Sequence, residues 1–194
     1  MNNDDLDDSH DLTPQIGIDR HGGIATSILM CVGPEYGLEK TSVYPWSKIP
    51  RDIKEWTEDR YETPRDQRYR LDNIEHVTKR RLVEPRLLKM FGEGGFGYPV
   101  GGIMIMGQFA DPLVARAHAE GGLPYRYPPN TLESELGVVR HALLIVGLNT
   151  MSDNRDEHYC LVKNSYGEEW GDKGYSRVGI EVFIELLYPE QDNA

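Results

Sequence analysis

An α+β fold is predicted for this 194-residue chain, and three observations predict it. Apolar residues at Val83, Leu87, Leu88 and Phe91 recur at helical spacing. Beyond Tyr98 the chain becomes strand-like: Val100 to Met106, Val138 to Val146 and His158 to Lys163 are apolar runs of strand length, and a further strand is expected around Tyr175 to Val178. A helix-bearing first part followed by a strand-rich second part is the α+β order.

Taken in order, residues 1–11 are acidic and read as a disordered tail. Ile24 to Val32 is apolar and reads as a buried helix, stopped by Gly33-Pro34. An irregular, charged region starts at Tyr44-Pro45-Trp46 and runs to about Arg70. The helix at Val83 to Phe91 is broken by the glycines between 92 and 97. The glycines at 171 and 174, beside Trp170 and Tyr175, mark turns before the last predicted strand. No internal repeat is present.

Hydrophobic residues make up 39% of the chain and charged residues 27%, a balance that suits a soluble globular protein. No apolar run approaches the ~20 residues that a membrane-spanning helix needs, so no membrane partner is expected. The acidic start, Met1 to Asp8, is the opposite of a secretory leader, which has a basic end and then an apolar segment. A net charge of −11 argues against nucleic acid as a partner, and the basic cluster Lys79-Arg80-Arg81 reads as a solvated face. The two cysteines, Cys31 and Cys160, lie in apolar surroundings and read as buried free thiols. The histidines at 10, 21, 76, 118 and 158 lack ligand-like spacing, so no metal or organic cofactor is expected.

The chemistry concentrates in His141 and Asn164. If the two strands flanking the polar stretch Asn149 to Glu157 form a hairpin centred within it, a register exists that sets His141 directly opposite Asn164. Opposed residues have Cβ atoms roughly 5 Å apart, within reach of an amide-to-imidazole hydrogen bond. An imidazole oriented by a side-chain oxygen is a general base held in one tautomer, the orienting half of a Cys-His-Asn site. The plainer alternative is a hydrogen-bonded histidine at a strand end.

The residues around the pair are more specific. His141-Ala142 opening an apolar strand, and the block Lys163-Asn164-Ser165-Tyr166-Gly167 continuing to Trp170-Gly171 and Gly174-Tyr175, resemble the papain-like cysteine peptidases. More weakly, Tyr98-Pro99-Val100, Tyr44-Pro45-Trp46 and Leu12 to Asp19 resemble that family's upstream segments, and the match extends over roughly residues 12 to 190. The resemblance implies a papain-like architecture: a reduced helical left part at 12–70 packed on a barrel-like antiparallel β right domain at 71–190. It implies catalytic roles for His141 and Asn164, and a substrate cleft lined by Gly22, Gly23, Tyr166 and Trp170. The family is usually lysosomal, vacuolar or secreted.

The resemblance is incomplete. The family's nucleophile stands in a Gln…Cys-Gly-Ser-Cys-Trp stretch before the segment matched by Leu12, and only the acidic tail precedes Leu12 here. Neither cysteine substitutes, because Cys160 lies about 13 Å along the strand from Asn164 at ~3.3 Å per residue. Arg20 stands where the family has a disulfide cysteine. Tyr166 replaces the tryptophan that covers the Asn-His bond. Arg140 precedes the histidine and is expected to lower its basicity if it comes close. These departures imply a catalytically incomplete homologue that binds a peptide or protein, or one completed by a chain supplying the nucleophile helix. The alternative is the C-terminal fragment of an active endopeptidase.

Overall fold

The computed structural model describes residues 12–13, 39–40, 62–70, 73–92, 95, 97–105, 107–127 and 140–190. The segment Ile24 to Val32, Tyr44 to Trp46, Arg20, the cleft glycines Gly22 and Gly23, and Cys31 lie outside these residues. The chain divides into two compact units, Met1–Ile74 with Pro189–Ala194, and Glu75–Tyr188. In the first, β1 (Leu12–Thr13) pairs antiparallel with β2 (Glu39–Lys40), and a 3-10 turn spans Arg65–Gln67.

The second unit is built on six strands: β3 (Ile74–Val77), β4 (Val100–Ile105), β5 (Arg140–Asn149), β6 (Tyr159–Lys163), β7 (Tyr175–Val178) and β8 (Glu185–Pro189). Their order across the sheet is β3-β8-β4-β5-β6-β7. With β3 and β7 as separate edges the sheet is open, so the barrel-like expectation is corrected to an open six-stranded sheet within an α+β fold. Two helices pack with it. α1 (Val83–Phe91) buries Val83, Leu87 and Met90, and α2 (Pro112–Ala119) buries Ala115. The helical stripe read at Val83 and Leu87 is therefore the inward face, whereas Leu88 remains 42% exposed. α2 starts cleanly because Asp111 accepts the Leu113 amide at 2.8 Å and Pro112 sets the first helical φ.

One sheet face carries the core. Val100, Met104, Leu143, Ile145, Val162 and Leu186 are all at most 3% exposed. Gly102 belongs to this face for a steric reason: a Cβ there would lie 2.6 Å from the Phe183 ring and 2.7 Å from Ile145 Cδ1. At one end an aromatic cluster closes the core. Phe109 stacks on Tyr125 with centroids 4.4 Å apart, and meets Trp170 edge-on at 5.1 Å. Offset and edge-on aromatic pairs each add ~0.5–1.5 kcal/mol beyond area burial. Burial also raises the Tyr125 hydroxyl above its ordinary pKa.

Candidate active site

His141 is the second residue of β5, opposite Met104 of β4. Directly opposed residues share a sheet face, so the imidazole lies on the face of the apolar core. Asn164 follows the last residue of β6. Its amide donates to Gly174 O at 2.9 Å, which closes a loop running from Asn164 to Gly174. His141 Nε2 and Asn164 Oδ1 are 2.8 Å apart. The same oxygen accepts the Ser165 amide at 2.8 Å, and that bond fixes which amide atom is the oxygen. A carbonyl oxygen can only accept, so Nε2 carries the proton and, in the neutral ring, Nδ1 holds the free lone pair. Asn164 is 6% exposed, and its Nδ2 has no partner among the described residues.

The register that brings them together differs from the one expected. Leu144 pairs with Lys163 and Ile145 with Val162, and beyond a bulge at Val146 Leu148 pairs with Cys160. Continued toward the site, this register sets Leu143, not His141, opposite Asn164. His141 is thus the diagonal neighbour, two residues along the same face, a separation of ~7–8 Å that an imidazole and an amide side chain can bridge. The hairpin runs further than the polar stretch suggested, since β5 extends to Asn149 and the turn holds a 3-10 segment at Arg155–Glu157. A slide of two residues leaves side-chain facing unchanged, so the pair survives it.

In the loop that follows β6, Tyr166 lies against His141, with ring centroids 4.9 Å apart and planes tilted by 48°. Tyr166 is 51% exposed, so it flanks the imidazole on the open side. Trp170, expected in the substrate cleft, is instead a core residue. It is 1% exposed, and its Nε1 donates to Phe109 O at 3.2 Å. Its role is to hold the Asn164 loop. The loop then reverses through Gly171 at φ 62, where a Cβ would meet Tyr175 O at 2.2 Å. Arg116 of α2 donates to Gly171 O at 3.1 Å. Ser176 Oγ donates to Ala115 O at 2.6 Å, so α2 braces both the loop and β7.

Arg140 faces away from its neighbour His141. Its guanidinium pairs with Glu185, whose other oxygen meets His76 Nε2 at 2.6 Å. Glu185 is 8% exposed, and this buried carboxylate is doubly bonded on the sheet face opposite the imidazole. The expectation that Arg140 bears on His141 is corrected by strand alternation. Nothing in the sequence flagged Glu185, a long-range partner 45 residues from Arg140.

Cys160 is fully buried, and desolvation with the Glu181 charge pushes its thiol well above the ordinary range. A buried neutral thiol opposite Leu148 is a packing group. Among the described residues no three His, Cys, Asp or Glu side chains group to hold a metal ion. None of the helices there is long and apolar enough to cross a membrane.

Comparison with known proteins bears on the same residues. The model of the papain family cysteine proteases matches residues 126–183, the segment holding His141, Asn164, Tyr166 and Trp170. Over that segment the chain resembles the papain family cysteine proteases. A cathepsin B-like protein of Giardia intestinalis is 34% identical over 96 residues, covering 48% of this chain and 31% of its own. Mouse cathepsin J is 49% identical over 41 residues, covering 21% of this chain and 12% of its own. The chain thus aligns with less than a third of the length of either relative. Among solved structures, a Carica candamarcensis cysteine protease in complex with E-64 matches with a TM-score of 0.61 at 18% identity, over 95% of this chain and 79% of that one. The digestive procathepsin L2 proteinase from Tenebrio molitor larval midgut matches at 0.59 and 19%, over 94% and 54%. At these identities the structural likeness establishes the fold.

Proposed function

We propose that this chain supplies the base and its orienting partner for a papain-like cysteine peptidase site and is, by itself, catalytically incomplete. The observation that carries the reading is the 2.8 Å contact between His141 Nε2 and Asn164 Oδ1, joined to the burial of Cys160 on the same hairpin. In peptide hydrolysis of this class a thiolate attacks the scissile carbonyl, and the imidazolium returns its proton to the leaving amine. His141 has the tautomer for that work, with Nδ1 open to take a thiol proton. Asn164 holds the ring plane, and Tyr166 shields one side. Cys160 does not act as the sulfur, because it is desolvated and lies four residues back along β6. The ligand is an extended peptide or protein segment, and a chain carrying a nucleophile helix is the partner that would complete the site.

The test is incubation with unfolded protein and dipeptidyl reporter substrates, reduced and at mildly acid pH. No turnover is expected. Turnover abolished by Cys31→Ala or Cys160→Ala overturns the reading. A second reading, the C-terminal part of an active endopeptidase, is favoured by the 31% share of the Giardia relative that aligns. An in-frame nucleophile helix encoded upstream of Met1 decides for it.

A further inference from the structure

The ladder between β4 and β5 ends where His141 sits. Its outermost opposed pair is Ile105 with Arg140, and the next is Met104 with His141. In an antiparallel ladder such pairs alternate, one exchanging both backbone bonds and the next exchanging none. Ile105 turns its backbone away from β5. Its amide donates to the Tyr127 hydroxyl at 3.0 Å, and that hydroxyl lies 3.0 Å from Ile105 O. Ile103, two residues back and so turned to the same side, accepts the Ile184 amide at 2.8 Å. The pair that exchanges bonds with β5 is therefore Met104 with His141, and it is the last rung. Arg140 lies beyond it, with no ladder bond to Ile105.

What holds Arg140 is Glu185. That residue stands on β8 opposite Ile103, so its pairing with the Arg140 guanidinium straps β5 to β8 across β4, on the face away from the imidazole. The strap is itself anchored, because the second carboxylate oxygen meets His76 Nε2 of β3 at 2.6 Å. The Arg140 side chain is 64% exposed, so solvent screens the attraction. The effect is geometric: a buried carboxylate with one fixed partner offers the guanidinium a single place to dock.

Strand ends open before the strands themselves, because few bonds hold them. Opening the last rung frees the His141 backbone, and the 2.8 Å contact with Asn164, reached along a diagonal, is lost with it. We propose that Glu185 is a positioning residue for His141: by strapping Arg140 beyond the last rung it keeps the end of β5 closed and the imidazole on Asn164. This rests on the reading of His141 as the base of the site.

The experiment is native-state hydrogen exchange of the full chain, with nitrogen-15 NMR of the His141 ring, in Glu185→Gln, Arg140→Met and Arg140→Lys. In the first two variants the His141 and Met104 amides are expected to exchange ~10-fold faster or more. Gly102 and Leu143, the next bonded rung inward, should keep their protection. The His141 Nε2–H signal should weaken as the ring samples both tautomers. Arg140→Lys keeps a cation for Glu185 and is expected to restore most of the protection and the ring signal. Arg140→Met alters an exposed side chain, so it carries the test even if Glu185→Gln does not fold. The proposal is overturned if the His141 rung keeps its protection in Arg140→Met, or if every rung loses protection alike, which marks general support of the fold. It is equally overturned if the rung opens while the ring signal stays unmoved. These readouts do not involve turnover, so their failure is distinct from a failure of the proposed function, which turnover alone reveals.

Discussion

Replacing Trp170 by phenylalanine separates the two jobs that the indole performs, filling space and holding the Asn164 loop to Phe109. The substitution removes the Nε1–H that meets Phe109 O at 3.2 Å. Leaving that buried carbonyl without its donor costs ~1–3 kcal/mol. The smaller ring also leaves a void at a position 1% exposed, where the full Trp→Ala truncation would cost ~3–5 kcal/mol. A total loss of about 2–4 kcal/mol is expected, a large share of the ~5–15 kcal/mol that typically holds a domain together. Urea unfolding followed by near-ultraviolet circular dichroism reads the loss as a lower midpoint at unchanged slope. Because the loop also carries Asn164, the Nε2–H resonance of His141 should broaden or move toward a mixture of tautomers in urea-free buffer. A midpoint shift worth less than about 0.5 kcal/mol, or an unmoved His141 resonance in a destabilised variant, would refute the claim that this indole positions the site.

Gly171→Ala is expected to destabilise by more than an ordinary Gly→Ala change, since it adds a left-handed φ to a backbone clash; an unchanged thermal midpoint contradicts this. Cys160 should resist iodoacetamide in the native state and react only on unfolding, read by mass spectrometry, because burial holds the thiol neutral. Tyr188 is raised to about 12 by burial and then by its bond to Glu75. The native state therefore keeps this proton above the ordinary value of 10, where the unfolded chain loses it. That stabilising contribution is whole below pH 10 and lost as the pH rises toward about 12. Tyr188→Phe should flatten the alkaline slope of stability, and an unchanged slope tells against the assignment.

The His141–Asn164 pair was legible because each partner sits in a short local run of distinctive residues, His141-Ala142 and Lys163 to Gly167. The strands β4 to β7 and α1 were legible from apolar periodicity, to within a few residues at their ends. What escaped the sequence was non-local. β3 and β8 are short, and Glu185 within β8 owes its burial to Arg140 and His76, partners that no local pattern reveals. The 3.6-residue period of α2 is blurred because only Ala115 is buried among eight residues. Trp170 reads equally well as a cleft ring or a core ring until Phe109, far away in sequence, is placed beneath it. The register failed for a physical reason too: β5 runs on to Asn149, opposite Tyr159, so the turn is not centred in the polar stretch, and the bulge at Val146 takes back one residue of that displacement.

That bulge at Val146 has a bearing on how this hairpin can change over time. It acts as a joint between two stretches of ladder that keep separate account of which side chains face inward. Lengthening or shortening the turn by a residue would ordinarily roll every side chain of a regular hairpin to the wrong face. Here such a change can be absorbed by moving or deleting the bulge, while Leu144 and Ile145 stay matched to Lys163 and Val162. The distal tip is therefore free to be remodelled by single-residue insertions, and the His141–Asn164 pair inherits none of the consequences.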